Sequence, residues 1–316
     1  MTPSTWEKGQ PSDLVALPAG HRLYVSISGP ERGHGSPIVI IVPGVTCSIT
    51  EWAAVRRLLE PTVRVLAYER AGLGASDEST EPPTATHMAE ELDTLLQALH
   101  VAPPYIFVCH SYGGIITREF LELKHSTKSE DVVGVVFVDA NQEKSIALWP
   151  DSNLDAMTKD LDNFTGIGLD QDHVLTENEW QAVLAERRSE KHQRTGQREM
   201  EHYIAGCEAL GVKQQFWRCP PLLKDFPICV LSAHPDVDCR RMFELALKLG
   251  NGTVEQRWQY AEKLAISPAI HEKFQREILE LSTKHRFVDV EGCGHYVHML
   301  VPEAIVDAVK WVLQNI

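Results

Sequence analysis

Residues 105–114 read Tyr-Ile-Phe-Val-Cys-His-Ser-Tyr-Gly-Gly, and the reading of this stretch decides the fold. Four strand-forming apolar residues, 105–108, run into a small residue, a serine and two glycines, after which 115–123 has helical character. A strand that turns this sharply into a helix lifts one residue onto the tip of the bend, and here that residue is Ser111. Its backbone must be strained, which is tolerable only if the neighbours two positions to either side are small; they are Cys109 and Gly113. The pattern predicts an exposed hydroxyl beside the positive end of a helix.

On the N-terminal side, Ile38–Val42 and 63–68 are continuous apolar runs of the kind buried on both faces of a parallel sheet. Between them 51–59 has helical spacing (Trp52, Val55, Leu58, Leu59), with Thr50 as a candidate cap, which makes a strand–helix–strand unit. Before them, 14–17 and 23–27 flank Pro18-Ala19-Gly20 as an opening hairpin. Residues 86–100 form an amphipathic helix that is stopped by Pro103-Pro104 and delivers the chain to the central strand. Beyond the bend, Val132–Val138 is the most apolar strand and ends in Asp139-Ala140-Asn141.

From 142 to about 224 the β-branched runs vanish and the chain becomes helical and polar, with a Thr176-x-x-Glu179 capping box opening one long helix. Strand character returns at 226–232, followed by Ala233-His234-Pro235-Asp236-Val237-Asp238, helices that include 270–281, and a strand at 286–290. The loop Glu291-Gly292-Cys293-Gly294-His295-Tyr296-Val297-His298 and a last helix at 302–313 close the chain. The expected organisation is an α/β core in two parts, 1–141 and 225–316, interrupted by a helical lid at 142–224.

A chain of 316 residues accommodates one such unit with an insertion, and 43% hydrophobic with 23% charged residues is the composition of a folded globular protein. A net charge of −14 argues against sustained binding to phosphate backbones or anionic membranes, so the expected partner is a small uncharged substrate, with no nucleic acid and no membrane. The sequence is compatible with a homodimer and does not fix the oligomeric state. Seven cysteines at 47, 109, 207, 219, 229, 239 and 293 contain no C-x-x-C pair, so no metal site, cofactor or disulfide framework is expected. With a polar 1–11 stretch that has no apolar h-region and no run near the roughly 20 apolar residues of a membrane span, the expectation is an unexported, cytoplasmic protein.

Nucleophilic catalysis by serine needs a base in hydrogen-bond reach and a carboxylate that fixes the tautomer of the base. Ser111 is the nucleophile candidate. His295, after a Gly-Cys-Gly turn at the end of the last strand, is the base candidate, whereas His110 and His298 are supporting residues. For the carboxylate two residues stay open: Asp236, four residues past Ser232, is preferred over Asp139, for which strand-end capping is the alternative role; Asp238 is an outsider. Residues 69–77 lack the Lys-Ser/Thr ending of a phosphate loop.

Taken together, Pro-Gly-Val at 43–45, Tyr-Glu-Arg-Ala-Gly-Leu-Gly-Ala-Ser at 68–76, His-Ser-Tyr-Gly-Gly at 110–114, Val-Phe-Val-Asp-Ala at 136–140 and Gly-His-Tyr-Val-His at 294–298 resemble a lid-bearing, esterase-like serine hydrolase of the α/β-hydrolase superfamily. The resemblance runs from about residue 38 to the C-terminus. It implies a mostly parallel sheet flanked by helices, a nucleophile elbow at Ser111 and an oxyanion hole from the N–H groups of Val45 and Tyr112, with Gly44 letting the main chain approach the substrate. It also places the acid most often after the strand before the last, the position of Asp236, and in some members one strand earlier, the position of Asp139. Cys109 for the first elbow glycine, Pro43 where a His is frequent and Glu69 for a common Asp depart from the pattern.

The function expected is hydrolysis of an ester, thioester or lactone of a small to medium apolar molecule, with Trp149, Trp180 and Trp217 of the lid as pocket-lining candidates. A non-hydrolytic lyase or carbon–carbon bond-forming enzyme with the same triad, and a ligand-binding receptor on the same scaffold, are the alternatives. Epoxide hydrolysis and dehalogenation are disfavoured, because they take a carboxylate at the elbow.

Overall fold

A computed structural model describes residues 5–33 and 35–316; the first four residues of the polar N-terminal stretch lie outside them. Eight strands, β1 (Ser12–Ala16), β2 (Arg22–Ser28), β3 (Ile38–Val42), β4 (Val65–Tyr68), β5 (Tyr105–His110), β6 (Val132–Val138), β7 (Ile228–Ser232) and β8 (His285–Asp289), form one sheet in the order β1-β2-β4-β3-β5-β6-β7-β8. The β1–β2 and β2–β4 pairs are antiparallel and every other pair is parallel.

The apolar runs divide by parity. In β3, Ile38, Ile40 and Val42 join one core cluster and Val39 and Ile41 the other. In β5, Phe107 and Cys109 face the first and Ile106 and Val108 the second. Both faces are therefore apolar because both are covered, as the continuous runs predicted. Each fully buried Ile or Val contributes roughly 1.5–3 kcal/mol relative to exposure. On the first face lie α2 (Ala85–Leu99), capped by Thr84, and α3 (Gly113–Ser126). On the second lie α1 (Ala53–Leu59) and α12 (Pro302–Asn315).

Between β6 and β7 the chain runs through α4 (Ser152–Thr158), α5 (Asn163–Gly166), α6 (Leu169–Asp172), α7 (Glu177–Arg188) and α8 (Glu190–Gly211). The Thr176–Glu179 capping box opens α7. Along α8, Thr195, Gly196, Glu199, Tyr203, Gly206, Cys207 and Leu210 are buried at helical spacing, and Tyr203, Cys207 and Leu210 belong to the first core cluster. Helix α8 is thus built into the body of the molecule.

After β7 come α9 (Pro235–Lys248) and α10 (Val254–Glu277), then α11 (Val297–Leu300) following β8. Helix α10 starts sixteen residues earlier than the helix read at 270–281 and continues through Pro268, its N-terminus fixed by a Thr253–Gln256 capping box. A proline removes one helical hydrogen bond, and the flanking turns carry this helix past the gap. Among the described residues no helix is long and apolar enough to cross a membrane.

Candidate active site

The parallel strands β3, β5, β6, β7 and β8 deliver their carboxyl-terminal loops to one edge of the sheet, where open α/β sheets place their sites. At the end of β5, Ser111 has φ +52° and Gly113 opens α3. The steric reason is direct: a Cβ at Gly113 would lie 2.2 Å from the Val42 carbonyl oxygen, and one at Gly114 would lie 2.8 Å from Ala140 Cβ. Cys109 fits where a glycine is usual because its side chain is wholly buried in the first core cluster. Ser111 N–H donates to the Val138 carbonyl at 3.3 Å, and the Ser111 carbonyl accepts from Asn141 N–H at 2.8 Å. The elbow is thereby braced on both sides of Asp139.

Asp139 is the carboxylate that meets His295. Its Oδ2 lies 2.6 Å from His295 Nδ1, and its Oδ1 accepts from Ala233 N–H at 3.0 Å and pairs with His271 Nε2 at 2.8 Å. Burial alone would push this carboxyl up, but the charge and hydrogen bond of His271 and the hydrogen bond of His295 outweigh it and hold Asp139 well below the usual carboxylate range. With a proton on His295 Nδ1 donated to the carboxylate, Nε2 is the ring nitrogen turned to accept. Asp139 itself sits at φ +41°, a left-handed conformation that turns its side chain out of the strand line.

The preference for Asp236 is corrected by this geometry. Pro235 starts α9 directly after β7, so Asp236 falls in the first helical turn and pairs with Arg240 at 3.7 Å instead of an imidazole. Asp238, two residues on in the same first turn, supports His295 in another way: its Oδ2 accepts the His295 backbone N–H at 2.7 Å. Burial pushes the Asp238 carboxyl up to about 6. Gly294 is required here, because a Cβ would stand 2.0 Å from Asp238 Oδ1.

His110 and His298 are placed as supports. His110 Nε2 donates to the His295 carbonyl at 2.9 Å, and its ring lies 4.4 Å from that of His295, centroid to centroid. Burial, then the neighbouring histidines, push His110 well below its ordinary value, so it is neutral. His298 stacks on Trp52 with centroids 4.7 Å apart.

In the 43–46 loop, a Cβ at Gly44 would lie 3.0 Å from Ser111 Cβ, so glycine is what allows the close approach to the elbow. Neither the Val45 nor the Tyr112 N–H donates to a protein group among the described residues. The loop is held from below by Arg70, which donates to the carbonyls of Pro43 (3.0 Å) and Gly44 (2.7 Å). Arg70 is in turn forked onto Glu199 of α8 at 2.8 and 2.9 Å. Glu69 accepts from Ser48 Oγ at 2.6 Å and Ile49 N–H at 3.2 Å and is pushed up by burial to about 7.

The three tryptophans of the 142–224 segment separate. Trp149 is 38% exposed and meets Tyr203 edge-on at 4.9 Å, and Tyr203 packs on Tyr112 at 5.1 Å. Trp180 is instead core, stacked with Phe164 at 5.6 Å and against His173 at 4.2 Å. Trp217 is 80% exposed at the protein surface, which removes it as a pocket wall.

One buried cluster among the described residues, Cys47, Glu51 and His298, brings three potential ligand atoms within 4.8 Å of one another. Arg187 already supplies a positive charge 3.6 Å from Glu51, and burial pushes the Cys47 thiol well up, so the donor set suits a hydrogen-bonded cluster rather than a divalent cation. A separate cavity of about 160 Å³ lies behind the His295 loop, lined by Asp172, Asp238, Arg241 and Gly294 among others; Ser111 does not line it.

Sequence reading missed His271, Arg70 and Glu199. His271 lies within the helix expected over 270–281 with no neighbouring motif to mark it, and Arg70 enters the sequence only within the 68–76 motif. Glu199 sits on the buried i, i+3, i+4 stripe of α8, and a helical-face reading of that segment would have marked it.

The profile of the alpha/beta hydrolase family matches residues 39–308. This chain belongs to that family. An AB hydrolase superfamily protein of Gibberella zeae is 35% identical over 301 residues, 93% of this chain and 91% of its own. Among solved structures, Cfl2 from Burkholderia cenocepacia superposes with a TM-score of 0.63 at 17% identity, covering 97% of both chains. A serine hydrolase involved in carbazole degradation gives 0.63 at 14%, covering 97% of this chain and 99% of its own. At such identities the two structures establish the α/β-hydrolase fold, an 8-stranded, mostly parallel sheet flanked by helices.

Proposed function

We propose that the protein is a serine hydrolase that cleaves an ester, thioester or lactone of a small to medium apolar molecule, with Ser111, His295 and Asp139 as its triad. The observation that carries the reading is the 2.6 Å contact between Asp139 Oδ2 and His295 Nδ1 beside an elbow serine at φ +52°. His295 Nε2 takes the Ser111 proton as Oγ attacks the substrate carbonyl carbon, and Asp139 stabilises the imidazolium that forms. The Val45 and Tyr112 N–H groups receive the developing oxyanion, the latter helped by the N-terminus of α3. When the tetrahedral intermediate collapses, the leaving alcohol or thiol takes the proton from His295. Water, deprotonated by the same nitrogen, then attacks the acyl-enzyme, releases the acid and restores Ser111.

The 142–224 segment serves as the lid, and it reaches the elbow through Tyr203, which packs on Tyr112 and in turn meets Trp149 edge-on. The partner in this reading is the small-molecule substrate, the net charge of −14 disfavouring polyanions, and the compartment is the cytoplasm.

The test is a panel of p-nitrophenyl esters of graded acyl length, thioesters and lactones, assayed together with fluorophosphonate labelling of the wild type and of Ser111→Ala. The expected result is turnover of at least one class, labelling confined to Ser111, and loss of both in the variant. Labelling that persists in Ser111→Ala, or a folded wild type that is never labelled, contradicts the reading.

A further inference from the structure

Behind the 43–46 loop lies a charged group that hydrolysis by a Ser-His-Asp array does not itself require. Arg70 and Glu199 have side chains only 2% and 1% exposed, and they pair through two hydrogen bonds, Nε to Oε1 at 2.8 Å and Nη2 to Oε2 at 2.9 Å. Burying two charges is costly, and replacing such a pair by apolar residues is often neutral or better for stability, so the retained pair calls for a use beyond holding the fold.

The use can be read from its other contacts. Arg70 Nη1 donates to the Pro43 carbonyl and Nη2 to the Gly44 carbonyl, while Glu199 Oε2 accepts the Thr46 N–H at 2.6 Å. The pair thus holds three successive peptide units of the loop, 43–44, 44–45 and 45–46. The peptide between Gly44 and Val45 is planar and trans, so its carbonyl and its N–H point in opposite directions. Fixing the Gly44 carbonyl on Arg70 therefore points the Val45 N–H, from the opposite edge of the peptide, away from Arg70. Thr46, held by Glu199, is at φ +58°, a conformation a threonine adopts only under constraint.

Helix α8 is seated closely enough to do this. A Cβ at Gly196 would come 2.9 Å from Thr46 Cγ2, and Thr195 Oγ1 donates to the Gly72 carbonyl at 3.0 Å. Farther along the same helix face, a Cβ at Gly206 would stand 2.3 Å from the Tyr112 hydroxyl. One face of α8 thus touches the 43–46 loop, the turn that carries Arg70, and the residue after Ser111.

We infer that Arg70 and Glu199 are positioning residues for the oxyanion hole: the pair aims the Val45 N–H, and through Glu199 the 142–224 segment holds the catalytic loop in its working shape. This rests on the serine-hydrolase reading. It makes the segment between β6 and β7 a component of catalysis as well as a cover, because one of its side chains is bonded to the loop that binds the transition state.

The experiment compares wild type, Glu199→Gln and Arg70→Lys. Glutamine keeps the shape and loses the charge; lysine keeps the charge and loses the fork that spans two carbonyls and a carboxylate. Loss of a whole oxyanion donor lowers kcat by about 10²–10³-fold, so misaiming one is expected to lower kcat and the rate of fluorophosphonate labelling by about 10–100-fold. KM is expected to stay within about threefold, since the donor acts on the transition state. Rates are taken per folded molecule, with the folded fraction read from circular dichroism and thermal melting.

Folded variants with wild-type kcat and labelling rate overturn the inference, as does a loss confined to KM. Should Glu199→Gln not fold, Glu199→Asp, which keeps the charge and withdraws it by one methylene, carries the same measurement. Failure of all three variants to fold assigns the pair to stability alone and overturns the inference too. Absence of labelling in the folded wild type, or labelling that survives Ser111→Ala, overturns the hydrolase reading itself, so the two failures are told apart.

Discussion

The exits of β6 and β7 start alike and end differently. Both strands are fully buried, run parallel at the same sheet edge and release an aspartate within a few residues. At the β6 exit the chain kinks through the left-handed Asp139 and aims its carboxylate at the His295 imidazole. At the β7 exit Pro235 starts a helix at once, so Asp236 turns to Arg240 and Asp238 grips the backbone of His295. An acid after a strand serves a base only if the backbone leaves the strand line in the right direction; a helix that starts immediately takes that freedom away. The histidine therefore has two carboxylates, one for its ring and one for its main chain.

The largest expected effect separates the two exits in kinetics. Asp139→Asn should lower kcat by about 10³–10⁴-fold, because an amide in place of the carboxylate no longer fixes the tautomer of the base. Asp236→Asn should stay within about twofold of the wild type, as its carboxylate meets no imidazole and its i, i+4 pair with the exposed Arg240 is long, at 3.7 Å, and contributes little. Steady-state rates on the best ester found in the panel decide it, and the reverse pattern would restore the β7 acid.

A smaller effect concerns pH and Asp238. Its folded-state pKa of about 6 lies above the ordinary aspartate value of about 3.9. A raised pKa means that the folded state binds the proton more tightly than the unfolded state does. The resulting stability is fully present below about pH 4 and is lost as pH rises through about 6. Asp238→Asn removes this dependence, so the stability of the variant relative to the wild type should improve between pH 4 and pH 8, by about 2–3 kcal/mol. Denaturant unfolding at the two pH values checks this, and a stability difference that does not change with pH would contradict it.

Much of the fold was legible because its signals are local. The parity of β3 and β5, the Thr176–Glu179 box and the elbow glycines each act within a few residues. Ser111 and His295 stand out as candidates at strand ends for the same reason. Which carboxylate faces His295 does not, since choosing between Asp139 and Asp236 depends on a single φ angle and on where α9 begins, neither of which composition or spacing specifies. His271 was equally hidden: it reaches Asp139 across 132 residues, from a helix that runs through a proline. Long-range polar pairs of this kind are set by packing, and Arg70 with Glu199, 129 residues apart, is another. The aromatic residues of the 142–224 segment gave the weakest guidance, because Trp180 and Trp217 look alike in sequence and differ only in what covers them.

The central claim is that the His295 ring proton is shared with Asp139, and it can be observed without a substrate. In nitrogen-15 histidine-labelled protein, an imidazole N–H held by a buried carboxylate gives a far-downfield proton resonance. The account predicts such a resonance for His295 Nδ1 in the wild type, its persistence in Asp236→Asn, and its loss in Asp139→Asn and in His295→Gln. A resonance that survives in Asp139→Asn and disappears in Asp236→Asn would contradict the account.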